Sequence, residues 1–288
     1  MEQRETIIKS KRRVKKHGEV FTPHHIVQRM IHAPEWDGVL TDYTMRLLEP
    51  SAGEGNFLTA ILKERLARIR SECGANVTKY ENRALLALST MYGVELLEDN
   101  AQKCVLNMYH VFYQDYADWV AYRNRQMQTP ACEIGEPTAA SAENGNTPLT
   151  RRVCKWYCRK KIIDSAMAIV AANIMQGDFL TGKCADGTPM ILTEWRVTGG
   201  ITRTTIRVIP TEWTWDEWQQ GADVPAGRVY SGVSIQPMEE QLSLFDDEPV
   251  MPTVRRRYVE TAIENVSEEE QEEEYAHDAD GASRADTV

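Results

Sequence analysis

Three short stretches of the chain place glycines or acids where apolar runs stop. EPSAGEGNF spans Glu49 to Phe57, GVEL spans Gly93 to Leu96, and GDFL spans Gly177 to Leu180. Glycines such as Gly53 and Gly55 let a backbone bend tightly and approach a ligand without side-chain obstruction. An acid placed like Glu95, closing an apolar run, can accept hydrogen bonds from both hydroxyls of a ribose. Asp178, closing the third run, can accept one from an adenine amine. A glycine pair alone is a weak signal. A glycine loop, an acid and an acid in order form a stronger one, and together they point to a nucleoside.

These residues need strands to end beneath them. MRLLEP (Met45 to Pro50) is a compact apolar run stopped by proline, and FLTAILKERLARIR after it has helical apolar spacing. LSTMYGVEL then predicts a strand ending near Glu95, followed by LEDNAQKCVLNMYHVF as a helix. DSAMAIVAANIMQGDFL predicts a helix and a third strand ending at Gly177 and Asp178. Repeated strand and helix units predict an α/β fold with a doubly wound, mostly parallel sheet. Ahead of them, Thr22 and Pro23 stand in the order of an N-cap and a first-turn proline. Behind them, MILTEWRV and TRTTIRVIP predict two strands joined by a hairpin at Gly199 and Gly200.

A chain of 288 residues, 42% hydrophobic, can bury one substantial core. No apolar run approaches the roughly 20 residues of a membrane span, and MEQRETIIKSKRRVKK lacks a secretory apolar stretch, so a cytoplasmic protein without membrane contact is expected. Cys73, Cys104, Cys132, Cys154, Cys158 and Cys184 follow no disulfide framework and predict reduced thiols. Cys154 and Cys158 lack a second ligand pair, so no metal site is assigned. The net charge of -10 is unevenly spread: Lys9, Lys11, Arg12, Arg13, Lys15 and Lys16 lie at the front, and SEEEQEEEYAHDAD lies near the end. With that acidic block set aside the body is closer to neutral, which leaves DNA open as a partner.

The expected organisation is a basic arm at 1–16, an α/β domain at 17–210 with an inserted loop at about 126–150, a Trp-rich extension at 211–236 and a disordered acidic tail at 237–288. In the extension, Trp213, Trp215 and Trp218 are expected to pack on the sheet edge, with base stacking as the alternative.

GEVFTP (Gly18 to Pro23), EPSAGEGNF, GVEL and GDFL also occur in a recognisable order. The chain resembles, over roughly residues 15 to 197, the N6-adenine-specific DNA methyltransferases of the restriction-modification type, whose first four motifs these stretches look like. The resemblance implies a Rossmann-like S-adenosylmethionine-dependent methyltransferase fold, in truncated form with disordered tails. By it, Thr22 and Pro23 line the methionine end of S-adenosylmethionine, and Glu49, Pro50, Ser51, Ala52, Gly53, Gly55, Asn56 and Phe57 wrap the cofactor. Glu95 holds the ribose, Asp178 the adenine amine, and Phe179 lies beside the ring.

One family feature is missing. These enzymes carry an Asn/Asp/Ser-Pro-Pro-aromatic motif soon after GDFL, whose amide and ring hold a base flipped out of the duplex. This sequence has no Pro-Pro, and Thr193, Glu194 and Trp195 stand at the expected position. Trp195 can stack, but Thr193 has no amide and Glu194 brings charge. No catalytic residue is therefore assigned, and transfer is expected to be lost or supplied by a partner methyltransferase or specificity subunit. The placement of GEVFTP ahead of the glycine loop disfavours a small-molecule or RNA methyltransferase.

The alternative is a non-catalytic accessory protein of a phage or mobile element that associates with DNA or a replication clamp. QLSLF (Gln241, Leu242, Ser243, Leu244 and Phe245) resembles the pentapeptide that docks on bacterial sliding clamps. Leu244 and Phe245 would enter a hydrophobic cleft, with Gln241 hydrogen-bonding at its rim.

Overall fold

The protein is described by a computed structural model, which covers residues 8–128, 157–221, 255–258, 260–267 and 272–275. Most of the inserted loop, QLSLF, Cys132 and Cys154 lie outside these residues.

Three short strands form a parallel sheet in the order β1-β2-β3: β1 (Leu47–Glu49), β2 (Met91–Glu95) and β3 (Ile174–Gln176). Leu48 pairs with Tyr92 and Val94 with Met175, so β2 and β3 end level while β1 ends two residues short of β2. All five residues of β2 are buried, as expected for a central parallel strand covered on both faces. Connections of helices join them. Between β1 and β2 come α4 (Asn56–Cys73) and α5 (Val77–Ser89); between β2 and β3 come α6 (Glu98–Gln128) and α7 (Lys160–Asn173). Ahead of β1 lie α1 (Lys11–His17), α2 (His24–Ile31) and α3 (Asp37–Thr41).

Leu58, Leu62, Leu66 and Ile69 of α4, Leu85 of α5, Phe112 and Tyr116 of α6 and Ile169 of α7 fill one core. Arg65 is fully buried within it, donating to the carbonyls of Val39 and Met45 and to the Thr90 hydroxyl at 2.9 to 3.0 Å. Burial lowers its pKa to about 10. The side chain thus fixes the entries to both β1 and β2.

The strand order runs consecutively, and among the described residues no fourth parallel strand reverses it. The expected doubly wound sheet is therefore present as a three-stranded parallel unit in a mixed α/β fold. The next two strands, β4 (Ile191–Thr198) and β5 (Arg207–Thr214), pair antiparallel, as the hairpin reading expects. Thr202 to Thr205 fall in the connecting loop, because Ile206 N is drawn to the Asn82 side chain at 2.9 Å.

Other boundaries also move. The division at 211 cuts through β5, which continues to Thr214 and runs into α8 (Trp215–Gln220) through a Thr214/Glu217 capping box. Pro23, not Thr22, occupies the N-cap of α2 and makes no side-chain cap bond. Leu88 and Ser89 end α5 instead of beginning β2. Asn76 caps α5, accepting from Lys79 N at 2.9 Å.

The acidic tail is not uniformly without structure. Thr261–Ala262 (β7) extends the β4/β5 sheet, and Ile263 and Val266 are buried in the main core. Glu264 accepts from Arg159 at 2.8 Å and Lys161 at 2.6 Å. Arg255–Tyr258 (β6) pairs antiparallel with Glu272–Tyr275 (β8). Among the described residues no helix is long and apolar enough to cross a membrane.

Candidate functional site at the strand ends

The residues expected to act on a ligand lie at the C-terminal ends of the three parallel strands, where open α/β sheets leave a crevice. Glu49 ends β1, Glu95 ends β2, and Asp178 follows β3 by two residues. The loop between β1 and α4 turns twice through left-handed glycines, Gly53 at φ 55° and Gly55 at φ 85°. A Cβ on Gly55 would stand 2.7 Å from Cys104 Sγ, so this backbone lies directly on α6.

Glu95 is 8% exposed and already engaged. Its Oε2 accepts from Gly53 N at 2.8 Å, and its Oε1 from Leu97 N at 2.9 Å and Asn100 Nδ2 at 3.3 Å. A carboxylate has about four lone-pair positions. Glu95 therefore has room for one further donor, and accepting two ribose hydroxyls requires exchanging one present bond, the long one to Asn100 first. Asp178 bonds Leu180 N through Oδ1 at 2.9 Å, which fixes the GDFL turn. Burial raises the pKa of Glu49, whose Oε1 accepts from Ser51 N at 3.4 Å.

GEVFTP meets this loop directly. Asn56 Nδ2 donates to Thr22 O at 3.1 Å, and the Phe21 ring lies 3.6 Å from the position of a Gly53 Cβ. Thr22, Pro23, Gly53, Gly55, Asn56, Glu95 and Asp178 thus gather around the strand ends. Pro50 and Ser51 are exposed and Ala52 is buried. Phe57 packs on the main core, and Phe179 lies edge-on to Trp215 at 5.1 Å within a second apolar cluster.

A charged set that the sequence alone does not reveal adjoins Glu95 through Asn100. Asn100, 1% exposed, donates from Nδ2 to Glu19 at 2.8 Å as well as to Glu95. Its Oδ1 accepts from Lys9 at 2.6 Å. Arg13 pairs with Glu19 and grips Asp99 through two bonds of 2.9 Å. Lys9 reaches Glu54 at 2.8 Å and Asp99 at 3.0 Å. The hydrogen bonds from Arg13 lower the pKa of Glu19 and bring that of Asp99 to about 2. Burial pushes the Cys104 thiol up to about 12, leaving it a packing group.

Thr193, Glu194 and Trp195 occupy the middle of β4. The expectation that Trp195 can stack on a base is corrected: it is 7% exposed and donates to Asn173 Oδ1 at 2.8 Å inside the core. Thr193 is buried, its carbonyl accepting from Tyr92 at 3.0 Å. Glu194 pairs with Arg46 at 2.6 Å on the rim of a cleft of about 350 Å³ that Trp213 and Trp218 also line. Of the three tryptophans in the extension, Trp215 packs fully, whereas Trp218 is half-exposed. Among the described residues no group of three or more His, Cys, Asp or Glu side chains is placed to hold a metal.

Comparison with protein-family models, curated proteins and solved structures finds no match for this chain.

Proposed function

We propose that the chain binds S-adenosylmethionine at the ends of the parallel strands and is a relative of the N6-adenine DNA methyltransferases, with DNA as its macromolecular partner. The observation that carries this reading is the meeting of four sequence-distant segments: Phe21 to Pro23, the Gly53–Gly55 loop, Glu95 and, through Gly177 N on the Glu95 carbonyl at 2.9 Å, the Asp178 turn. Their donor and acceptor types suit an amino acid joined to a nucleoside, as the motif order implies. The strand order β1-β2-β3 is that expected of the first half of a Rossmann-like methyltransferase sheet.

The position expected to hold a flipped adenine offers no comparable support. Thr193 and Trp195 are interior residues of an antiparallel strand, and neither reaches toward the strand-end crevice. The protein alone therefore binds the cofactor without transferring its methyl group to DNA.

Titration calorimetry with S-adenosylmethionine and its demethylated product tests the binding step. Saturable heat is expected, and Glu95→Ala should weaken binding by about 1 to 3 kcal/mol through loss of a charged acceptor. No heat from folded protein at millimolar ligand sinks the reading. Methyl incorporation into mixed-sequence DNA by the isolated chain overturns its second half.

A further inference from the structure

The cations at the front of the chain fall into two sets. Lys9 and Arg13 are bound to Glu54, Asp99 and Glu19, and so fasten α1 to the glycine loop and the start of α6. Lys11, Arg12, Lys15 and Lys16 are exposed and have no acid partner among the described residues. On a helix, 11 and 15 form one row and 12 and 16 another, on the side turned away from the anchors.

This arrangement is unfavourable locally. The first turn of α1 has no acid and holds Lys11, Arg12 and Arg13 against the positive end of the helix dipole. Like charges four residues apart repel. A helix of seven residues does not persist by itself in water. It is held by the Ser10 cap, which accepts from Arg13 N at 3.2 Å, by left-handed Gly18, and by the two anchoring cations. Local rules broken while the surroundings hold the element in place mark functional positions. Most of the chain's charge of -10 lies in the acidic block near its end, so the cationic face of α1 belongs to a body that is not strongly negative and can draw a polyanion.

We infer that the exposed face of α1 holds the phosphate backbone of DNA, and that Lys9 and Arg13 fix this face beside the mouth of the strand-end crevice. The inference rests on the reading of DNA as the partner. An anionic membrane fits less well, because the one apolar residue within α1, Val14, is half-buried and the helix has no apolar stripe to insert.

The test uses the full chain and a fluorescent mixed-sequence duplex, with anisotropy measured across a salt series. Each phosphate contact contributes about 0.9 to the slope of log K against log salt. Lys11→Gln, Arg12→Gln, Lys15→Gln and Lys16→Gln together should weaken binding at low salt by at least tenfold and lower the magnitude of the slope by roughly 3.6. The paired variants, 11 with 15 and 12 with 16, should each produce about half that loss of slope and guard against misfolding of the quadruple variant. Unchanged slope and affinity in folded variants overturn the inference. So does failure of the unaltered chain to bind duplex, or binding confined to phosphatidylserine vesicles. Calorimetry with S-adenosylmethionine on the same variants keeps the two readings apart, because retained cofactor binding is expected whichever way the DNA result falls.

Discussion

Glu19 and Glu95 are buried carboxylates that meet at a single amide, Asn100, whose oxygen accepts from Lys9, while Arg13 pairs with Glu19. At this scale the sequence showed Glu95, because it ends a strand, but not Asn100, whose role depends on how the first turn of α6 folds back. The glycines show the same difference. Gly53 and Gly55 carry one signal in the sequence, freedom of the backbone, yet they differ in what surrounds them. A Cβ on Gly53 meets only the Phe21 ring at 3.6 Å, an ordinary contact, so Gly53→Ala should cost only left-handed strain, about 1 kcal/mol. A Cβ on Gly55 meets the sulfur of fully buried Cys104 at 2.7 Å, so overpacking adds to strain and Gly55→Ala should cost roughly 3 kcal/mol. Urea unfolding of the two variants measures the difference. A Gly53→Ala cost equal to or larger than that of Gly55→Ala contradicts the packing at Cys104.

Among the elements, α1 is held to the body by charge. Asp99, ordinarily near 3.8, is brought to about 2, and Glu19 is lowered as well, chiefly by hydrogen bonds from Arg13. An acid whose folded pKa is depressed adds stability that is present above its unfolded value and lost as pH falls through the folded one. The docking of α1 should therefore be complete near neutral pH and weaken from about 3.8 down toward 2. Hydrogen exchange, corrected for intrinsic rates, should show protection of the α1 amides at pH 6 that is reduced at pH 2.5 while α4 keeps its own. Equal protection of α1 at both values contradicts an electrostatic clasp.

The strands and long helices were legible because each carries its apolar period within itself: β1 and β3 were placed by apolar runs stopped at Pro50 and Gly177, and α4 by its spacing. α5 is not legible in the same way, although Asn76 supplies a cap signal, because its Leu85-Leu86-Ala87-Leu88 run reads equally as the approach to a strand. The docking of α1 was illegible for another reason. Six cations within eight residues look like a free arm until the acids that bind two of them are brought near by the fold.

For the molecule as a whole, the core is closed by residues far along the chain. The segment from Glu260 to Ser267 lies where acidic composition suggested a disordered tail, yet Ile263 is fully buried and Val266 is 7% exposed among α5 and α7. Composition averages over a long stretch and hides two apolar residues three apart, which is enough for one 3-10 turn to dock. Glu264 adds bonds to Arg159, Lys161 and Asn82. Arg159 also pairs with buried Glu81, so loss of Glu264 leaves Asn82 and Lys161 without this acceptor while that pair survives. Burying an Ile is worth about 1.5 to 3 kcal/mol and a Val somewhat less, and the charged hydrogen bonds add to it. A chain ending at residue 259 should therefore be less stable than the full chain by roughly 4 kcal/mol. A chain ending at 267 keeps the docked turn and loses the β6–β8 pairing, and an isolated two-stranded ribbon is marginal in water, so it should differ from the full chain by less than about 0.5 kcal/mol. Urea unfolding followed by tryptophan fluorescence compares the three. If the chains ending at 259 and 267 unfold at the same midpoint, the Ile263 turn contributes nothing to the core, and the acidic composition was the better guide to this segment.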